Sequence, residues 1–376
     1  MTAVLRHGKS ANDEMDDKDT AMAKRIVLTG GGTAGHVTPN IALLPSLRDA
    51  GYEVFYIGSY NGIEKDLVAK QEIPYYGISS GKLRRYFDWQ NFTDPFRVIH
   101  GYSQARSLLK KLHPDVIFSK GGFVSVPVVR AAGSLRIPTI IHESDMTPGL
   151  ANRLSIPIAQ KVCCSFPETL KYLPEEKAVL TGSPIRRELL EGDRDAALKF
   201  LGWADSGKPA LLVIGGSQGS VAINQALRAD LDSLLKDIRI IHLCGKGNLE
   251  ESLNGREDYV QLEYVSDELK DLFALADFVL SRAGANSICE LLALRKPNLL
   301  IPLSAASSRG DQILNADSYQ RQGYSLVLKE ELLTPDSLLR SLKELYRDRD
   351  KYIAAMATST QSNAIDVIMN LIMEAS

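Results

Sequence analysis

Residues 24–39 read KRIVLTGGGTAGHVTP, Lys24 to Pro39, and this stretch decides the fold. Residues 25–29 form a short apolar run rich in β-branched side chains, the pattern of a strand buried on both faces of a parallel sheet. The run passes directly into Gly30, Gly31 and Gly32, and Pro39 then stands where a helix begins. Four glycines and a proline within residues 30–39 are more than a plain strand-to-helix turn needs. Such a loop brings backbone N–H groups up to a phosphate at a helix N-terminus. Gly30, Gly32 and Gly35 also fit the G-x-G-x-x-G spacing of dinucleotide sites. That reading wants an acid closing the next strand, where residues 53–57 open on Glu53 and are followed by Gly58. A nicotinamide-dependent dehydrogenase therefore rests on the glycines alone. His36 closes the loop at a helix start, where the positive end of the dipole is expected to keep its imidazole neutral and able to accept a proton.

Outward from this stretch the same unit recurs. Candidate strands at 25–29, 53–57, 115–119, 138–142, 161–164 and 178–180 alternate with amphipathic segments, and a second series follows at 210–214, 239–243, 259–264, 278–280, 298–303 and 324–328. Alternation of this kind is the mark of βαβ units, so the fold class is α/β, with two doubly wound halves. Charged, glycine-punctuated residues 182–207 suit a linker with a short helix, which sets the boundary near Ser183. The expected domains are 24–183 and 184–357, with a last helical stretch, 358–376, packing back on the first. Residues 1–23 are polar, acid-rich and aperiodic, and are read as a disordered extension without the apolar core of a signal peptide.

Ligands of open parallel sheets bind beyond the carboxyl ends of the strands, so candidate residues are sought in those loops. Gly215, Gly216, Ser217, Gln218, Gly219 and Ser220 follow the strand at 210–214 and form a second anion cradle. The loop SRAGANS, Ser281 to Ser287, leads into a helix on which Glu290 lies one turn beyond Asn286, placed to accept from two ribose hydroxyls. His142, Glu143, Ser144 and Asp145 end one first-half strand, and Lys120, Gly121 and Gly122 end another. Lys82, Arg84, Arg85, Phe87 and Trp89 interleave bases with aromatics, as an interfacial patch facing anionic lipid would. Each feature also has an ordinary alternative: a packing turn, a solvated helix charge, a hydrogen-bonded loop residue or a surface helix.

Composition narrows the classes. Lys and Arg number 44 against 46 Asp and Glu, a net charge of −2, so no global field draws nucleic acid. The four cysteines, Cys163, Cys164, Cys244 and Cys289, form no C-x-x-C pair, which argues for a reducing compartment and against a disulfide or zinc framework. No Walker A loop, EF-hand or H-E-x-x-H occurs, so neither a metal nor a cofactor is expected. No apolar run approaches the ~18–20 residues of a spanning helix.

The blocks TGGGTAGHVTPNIAL, KGGFVSVPV, HESDMTPGLANR, TGSPIR, GGSQGS, EYVSDELKDLFALAD and SRAGANSICELLALRKPNLLIPL, in this order, resemble the MurG family of peripheral-membrane glycosyltransferases. The resemblance covers nearly all of the chain from Lys24. It implies a GT-B fold of two Rossmann-like domains facing a cleft, the first binding a lipid acceptor and the second a nucleotide sugar. It further implies inverting transfer of N-acetylglucosamine from its UDP form to the 4-hydroxyl of undecaprenyl-diphosphate-linked N-acetylmuramoyl-pentapeptide. This is a step of peptidoglycan synthesis at the cytoplasmic face of the cell membrane, with an anionic membrane surface and cell-wall synthesis proteins as partners.

Carried over position by position, His36 is the base implied by the resemblance, with Glu143 as the carboxylate alternative. Thr33, Ala34 and Gly35 line the first loop near the reacting sugars. Arg186, Gly216, Ser217, Gln218 and Gly219 meet the donor diphosphate, Val265 meets uracil, Ala285, Asn286 and Ser287 present helix-start amides, Glu290 holds the ribose and Gln312 contacts the donor sugar. Gly31, Gly32, Gly121, Gly122, His142 and Asp145 fall on the acceptor side. Ala34, Asp145 and Asp311 depart from the family pattern, which usually has Gly, Asn and Gln there. The other readings are a GT-B glycolipid glycosyltransferase or UDP-sugar epimerase, and a non-catalytic scaffold for a lipid-linked intermediate.

Overall fold

The structure is a computed structural model that describes residues 23–81, 90–216, 218–305 and 310–376. Residues 1–22 of the extension, the expected patch residues Lys82, Arg84, Arg85, Phe87 and Trp89, and Ser217 lie outside the described residues.

Two parallel sheets organise the chain. The first contains β1 (Arg25–Thr29), β2 (Glu53–Ser59), β3 (Tyr75–Ile78), β4 (Val116–Ser119), β5 (Thr139–Glu143), β6 (Lys161–Cys164) and β7 (Ala178–Leu180), in the order β3-β2-β1-β4-β5-β6-β7. The second contains β8 (Ala210–Ile214), β9 (Arg239–Leu243), β10 (Tyr259–Leu262), β11 (Phe278–Ser281), β12 (Asn298–Leu300) and β13 (Leu326–Val327), in the order β10-β9-β8-β11-β12-β13. Both are Rossmann-like, and the two domains form the GT-B arrangement.

Helices cover both faces of each sheet, which is why the central strands lack polar–apolar alternation. β4 (VIFS) and β8 (ALLVI) are buried almost throughout. β3 was not expected from sequence: its residues, Tyr-Tyr-Gly-Ile, are only partly buried at the sheet edge and carry a glycine that weakens strand signals. Expected strands at 298–303 and 324–328 shorten to β12 and β13. Pro302 has no N–H for a ladder, and Tyr324 instead closes the preceding helical turn through its amide to the Tyr319 carbonyl, 2.9 Å.

The chain crosses between domains twice. Gly182 and Gln361 meet at the crossing, where a β-carbon on Gly182 would lie 2.3 Å from the Gln361 carbonyl oxygen. The terminal helix Ala364–Ala375 then lays Ile368, Met369 and Ile372 into the core cluster of Ile26, Leu28, Val116 and Phe118. Phe166 of the first domain sits edge-on to Tyr319 of the second, centroids 6.1 Å apart.

In each sheet the strand order reverses once, between β1 and β4 and between β8 and β11, and crossovers leave to opposite faces there. The four loops that follow these strands carry Gly30 to His36, Lys120 to Gly122, Gly215 to Ser220 and Arg282 to Gly284. Every glycine loop singled out in the sequence thus stands at a switch point.

Candidate active site

The first loop is fixed from below. Buried Asn40 donates to the Thr29 carbonyl at 3.1 Å, and buried Tyr56 donates to the Gly30 carbonyl at 2.8 Å. The Lys120 amide donates to the Thr29 carbonyl at 2.9 Å, which sets the β4 turn directly beside the loop. Gly122 has φ +85°, and a β-carbon there would lie 2.3 Å from the Gly31 carbonyl oxygen. Only glycine allows that approach.

His36 ends a single 3₁₀ turn, Ala34–His36, rather than opening the helix expected at this point. Its Nδ1 lies 3.0 Å from the Gly31 carbonyl oxygen and 3.1 Å from Thr33 Oγ1. A carbonyl only accepts, so Nδ1 carries the proton in the neutral ring and Nε2 keeps a lone pair. Among the described residues Nε2 has no hydrogen-bond partner. The imidazole pKa is lowered by burial first and by the Lys120 charge second, while the Gly31 carbonyl and Glu64 raise it. The expected neutrality holds, but its cause is burial and a lysine rather than a helix dipole.

Two expected residues do not face the cleft. His142 is wholly buried; Lys120 Nζ donates to its Nδ1 at 2.6 Å and its Nε2 donates to the Gly182 carbonyl at 2.7 Å. Burial, then Lys120, holds its pKa well below the usual range. Both nitrogens are occupied, so the ring braces the interdomain crossing. Glu143 is 4% exposed and accepts from the Asp145 and Gly149 amides at 2.8 and 2.9 Å and from Asn152 Nδ2 at 2.9 Å. Its carboxylate is consumed in shaping the loop around Asp145, which leaves it poorly placed to act as a mobile base.

On the opposite wall, the second loop precedes a helix, Val221–Ala229, capped by Ser220, whose Oγ accepts from the Ile223 amide at 3.4 Å. Gly219 takes φ +76° with its back to the Cys244 carbonyl. Arg282 pins this wall. It donates to Ser220 Oγ at 2.6 Å and to the Ile301 carbonyl at 3.1 Å, and it pairs with Glu330. Val265 is buried in the second core. Gln312 accepts the Leu303 amide through Oε1 at 3.1 Å, so its NH₂ is the end left for contact.

The two walls meet at Asn286, whose Nδ2 donates to the Gly35 carbonyl at 3.3 Å. Asn286 starts the helix Ala285–Ala293, and Glu290 on that helix faces Arg186 at 3.9 Å. Burial pushes the Glu290 carboxyl up to about 7, against the opposing pull of Arg186. Asn286 Oδ1 and Arg186 Nε are buried without a protein partner. Unsatisfied buried groups are costly, and both of these lie on residues beside the contact between the walls.

Sequence reasoning left two residues of this site without a role. Lys120 is 1% exposed and reaches Ser144 Oγ at 2.5 Å and Ser183 Oγ at 3.4 Å as well as His142, and burial brings its pKa down to about 8. Glu64, fully buried, holds the Gly32 amide through Oε2 at 3.1 Å. A first-turn acid normally reads as a solvated helix charge, so the clue to Glu64 lay in the glycines that surround it.

The chain matches the glycosyltransferase family 28 N-terminal domain over residues 26–164 and the family's C-terminal domain over 210–372. It is 65% identical over 349 residues, 93% of this chain and 98% of the other, to a protein of Lachnospira eligens. That protein is named UDP-N-acetylglucosamine--N-acetylmuramyl-(pentapeptide) pyrophosphoryl-undecaprenol N-acetylglucosamine transferase. A Clostridium perfringens protein of the same name is 56% identical over 93% of this chain and 97% of its own length. Among solved structures, Acinetobacter baumannii MurG superposes with a TM-score of 0.72 at 25% identity, covering 93% of this chain and 99% of that one. A UDP-N-acetylglucosamine 2-epimerase, at 15% identity, 94% and 95% coverage and a TM-score of 0.64, shares the fold.

Gly122→Ala forces a left-handed residue and a clash with the Gly31 carbonyl at once. It is expected to destabilise the protein by more than ~1 kcal/mol, read as a lowered thermal midpoint. An unchanged midpoint shows that the loop yields without cost.

Proposed function

We infer that this chain, which belongs to glycosyltransferase family 28, transfers N-acetylglucosamine from UDP-N-acetylglucosamine to the undecaprenyl-diphosphate-linked N-acetylmuramoyl-pentapeptide of peptidoglycan synthesis. Near-full-length identity to enzymes of that name carries the reaction. The residue roles rest on the geometry, above all on the Asn286–Gly35 contact, which brings the His36 loop up to the helix that bears Glu290.

The second domain is assigned the donor. The amides of Gly216 and Gln218, with Ser217, cradle the diphosphate as a nest of N–H groups, Gly219 holds the turn through its amide to the Gly216 carbonyl, and Arg186 adds positive charge. Ala285, Asn286 and Ser287 add helix-start amides, the Val265 backbone meets uracil, Glu290 accepts from the ribose hydroxyls and Gln312 offers its NH₂ to the sugar. The first domain is assigned the acceptor, with Gly31, Gly32, Gly121 and Gly122 beside its diphosphate, Asp145 at the rim, and Thr33, Ala34 and Gly35 between the two substrates.

In the reaction the acceptor's 4-hydroxyl oxygen bonds to the anomeric carbon. The bond from that carbon to the diphosphate oxygen breaks on the opposite face, and UDP leaves with the electron pair. The hydroxyl proton passes to His36 Nε2, and configuration inverts. Positive groups at the diphosphate stabilise the charge that grows there.

The site of action is proposed to be the membrane surface on the cytoplasmic side, because the acceptor's polyprenyl chain stays in lipid. All four cysteines are free and buried, which suits a reducing compartment. Among the described residues no helix is long and apolar enough to cross a membrane. Ile99, 65% exposed on the helix Gln90–Leu112, lies just beyond the basic-aromatic stretch at 82–89.

The deciding experiment is UDP release from UDP-N-acetylglucosamine with and without a short-chain acceptor analogue. Release that depends on acceptor supports the transferase, and donor binding without release points to a scaffold. His36→Ala is expected to lower turnover by roughly 10²–10⁴ with donor affinity little changed, and full turnover excludes it as the base. Accepting from both ribose hydroxyls at once calls for the ionised carboxylate, and burial raises the Glu290 carboxyl to about 7. UDP-N-acetylglucosamine binding is therefore expected to weaken as pH falls through about 7, with a proton released on binding in proportion to the fraction of Glu290 still protonated. Glu290→Ala should remove this pH dependence and cost about 1–3 kcal/mol of affinity by titration calorimetry. Replacing Lys82, Arg84 and Arg85 by Ser should weaken binding to anionic vesicles at low salt, and equal binding rules the patch out.

A further inference from the structure

The peptide group joining Gly31 to Gly32 is held at both ends by ionisable side chains. Its carbonyl accepts from His36 Nδ1 at 3.0 Å, and its N–H donates to Glu64 Oε2 at 3.1 Å. One peptide is a single conjugated unit. An anion on its N–H therefore enriches the carbonyl oxygen and strengthens it as an acceptor, as linked hydrogen bonds polarise one another.

The carboxylate is built into place. Glu64 is fully buried, and its Oε1 accepts from the Ser59 amide at 3.0 Å and from Ser59 Oγ at 2.5 Å. A β-carbon at Gly31 would lie 2.5 Å from Glu64 Cδ, one at Gly62 2.2 Å from either oxygen and one at Gly58 2.9 Å from Cγ. Three glycines from three segments vacate the space that one carboxylate fills. Burial alone would raise its pKa, but the Ser59 hydroxyl and the amides of Gly32 and Ser59 more than offset this and leave it below the usual range. It is an anion at neutral pH.

We propose that Glu64 is a positioning residue for His36, acting through the peptide between Gly31 and Gly32: its carboxylate secures the Nδ1–H tautomer, so that Nε2 presents a lone pair to the acceptor hydroxyl. This deepens the reading of His36 as the base and rests on it. The arrangement parallels a carboxylate–histidine pair with a peptide inserted between the partners, and Glu64 takes no proton at any step. The charged groups that act on His36 are Glu64 and, from the end of β4, Lys120. Glu64 makes the ring more basic and Lys120 makes it less so.

The test is the pH dependence of kcat for the full chain, with UDP-N-acetylglucosamine and a short-chain acceptor analogue, in wild type, Glu64→Gln and His36→Ala. Glu64→Gln keeps the shape and removes the charge. It is expected to lower plateau kcat by about tenfold, to move the acidic limb down by about half a pH unit and to leave donor KM within about twofold. A packing role alone would lower stability without moving the limb. If the same limb persists in the residual activity of His36→Ala, the base reading fails; if the limb belongs to His36 and Glu64→Gln leaves it unmoved, the relay fails alone. Because the amide offers one oxygen where the carboxylate offers two, the variant is expected to lose some stability. ¹⁵N NMR of histidine-labelled wild type therefore reads the tautomer directly. An Nδ1–H signal for His36 is expected, and an Nε2–H signal overturns the proposal whether or not the variant folds.

Discussion

A parallel sheet with crossovers on both faces must reverse its strand order somewhere, and the chemistry of this molecule is built on that constraint. Where β1 and β4 part, and again where β8 and β11 part, successive crossovers leave to opposite sides and the loop ends stand clear of any covering helix. The sheet has ended there and the next helix has not yet begun, so backbone N–H groups other than those already held, as Gly32 is by Glu64 and Gly219 by the Gly216 carbonyl, are left for a ligand. Glycine keeps those groups close to a ligand, since any β-carbon would hold the ligand off or strike the neighbouring loop, as Gly122 against Gly31 demonstrates. Two such gaps brought face to face suit a reaction between two diphosphate-bearing substrates.

Beneath the first gap lie two buried charges that do not pair with each other. Glu64 is satisfied by Ser59 and the Gly32 amide, while Lys120 is satisfied by His142, Ser144 and Ser183. Burying an ion costs several kcal/mol even after relaxation, and a well-packed apolar replacement is often no less stable. For Lys120, whose pKa burial lowers, stability alone gives little reason for the charge, whereas Glu64 is held as an anion by its donors. Their common neighbour is His36, pushed one way by each. The loop is better understood as an electrostatic mounting for an imidazole.

Much of this was legible in the sequence because it is local. The run at 25–29 and the glycines at 30–35 each reflect a short-range rule. Glu290 could be placed on the face of Asn286 from helical spacing alone. What could not be read was partnership across the chain. His142 and Glu143 sit at a strand end, which usually signals a site, yet their partners Lys120, Gly182, Gly149 and Asn152 turn both inward. Glu64 was hidden for the opposite reason: nothing near it in the chain marks a site, and its partners are the Gly32 loop and the end of β2 at Ser59, 32 and 5 residues away.

Magnitudes also decide which domain contact holds and which gives. On the hinge side, Phe166 packs into the second domain's core against Tyr319, and Gly182 closes on Gln361 with no room for a side chain. Burial of one aromatic side chain there contributes about 1.5–3 kcal/mol, and the Glu168–Arg321 pair beside it, with Arg321 60% exposed, adds at most about 1 kcal/mol. On the cleft side Asn286 bridges to the Gly35 carbonyl by a neutral hydrogen bond at 3.3 Å, worth about 1 kcal/mol. A substrate that offers either group a better partner can replace that bond at almost no net cost, whereas it cannot unpack Phe166. The domains are thus joined firmly behind the site and lightly across it, and the light contact lies where donor and acceptor must meet.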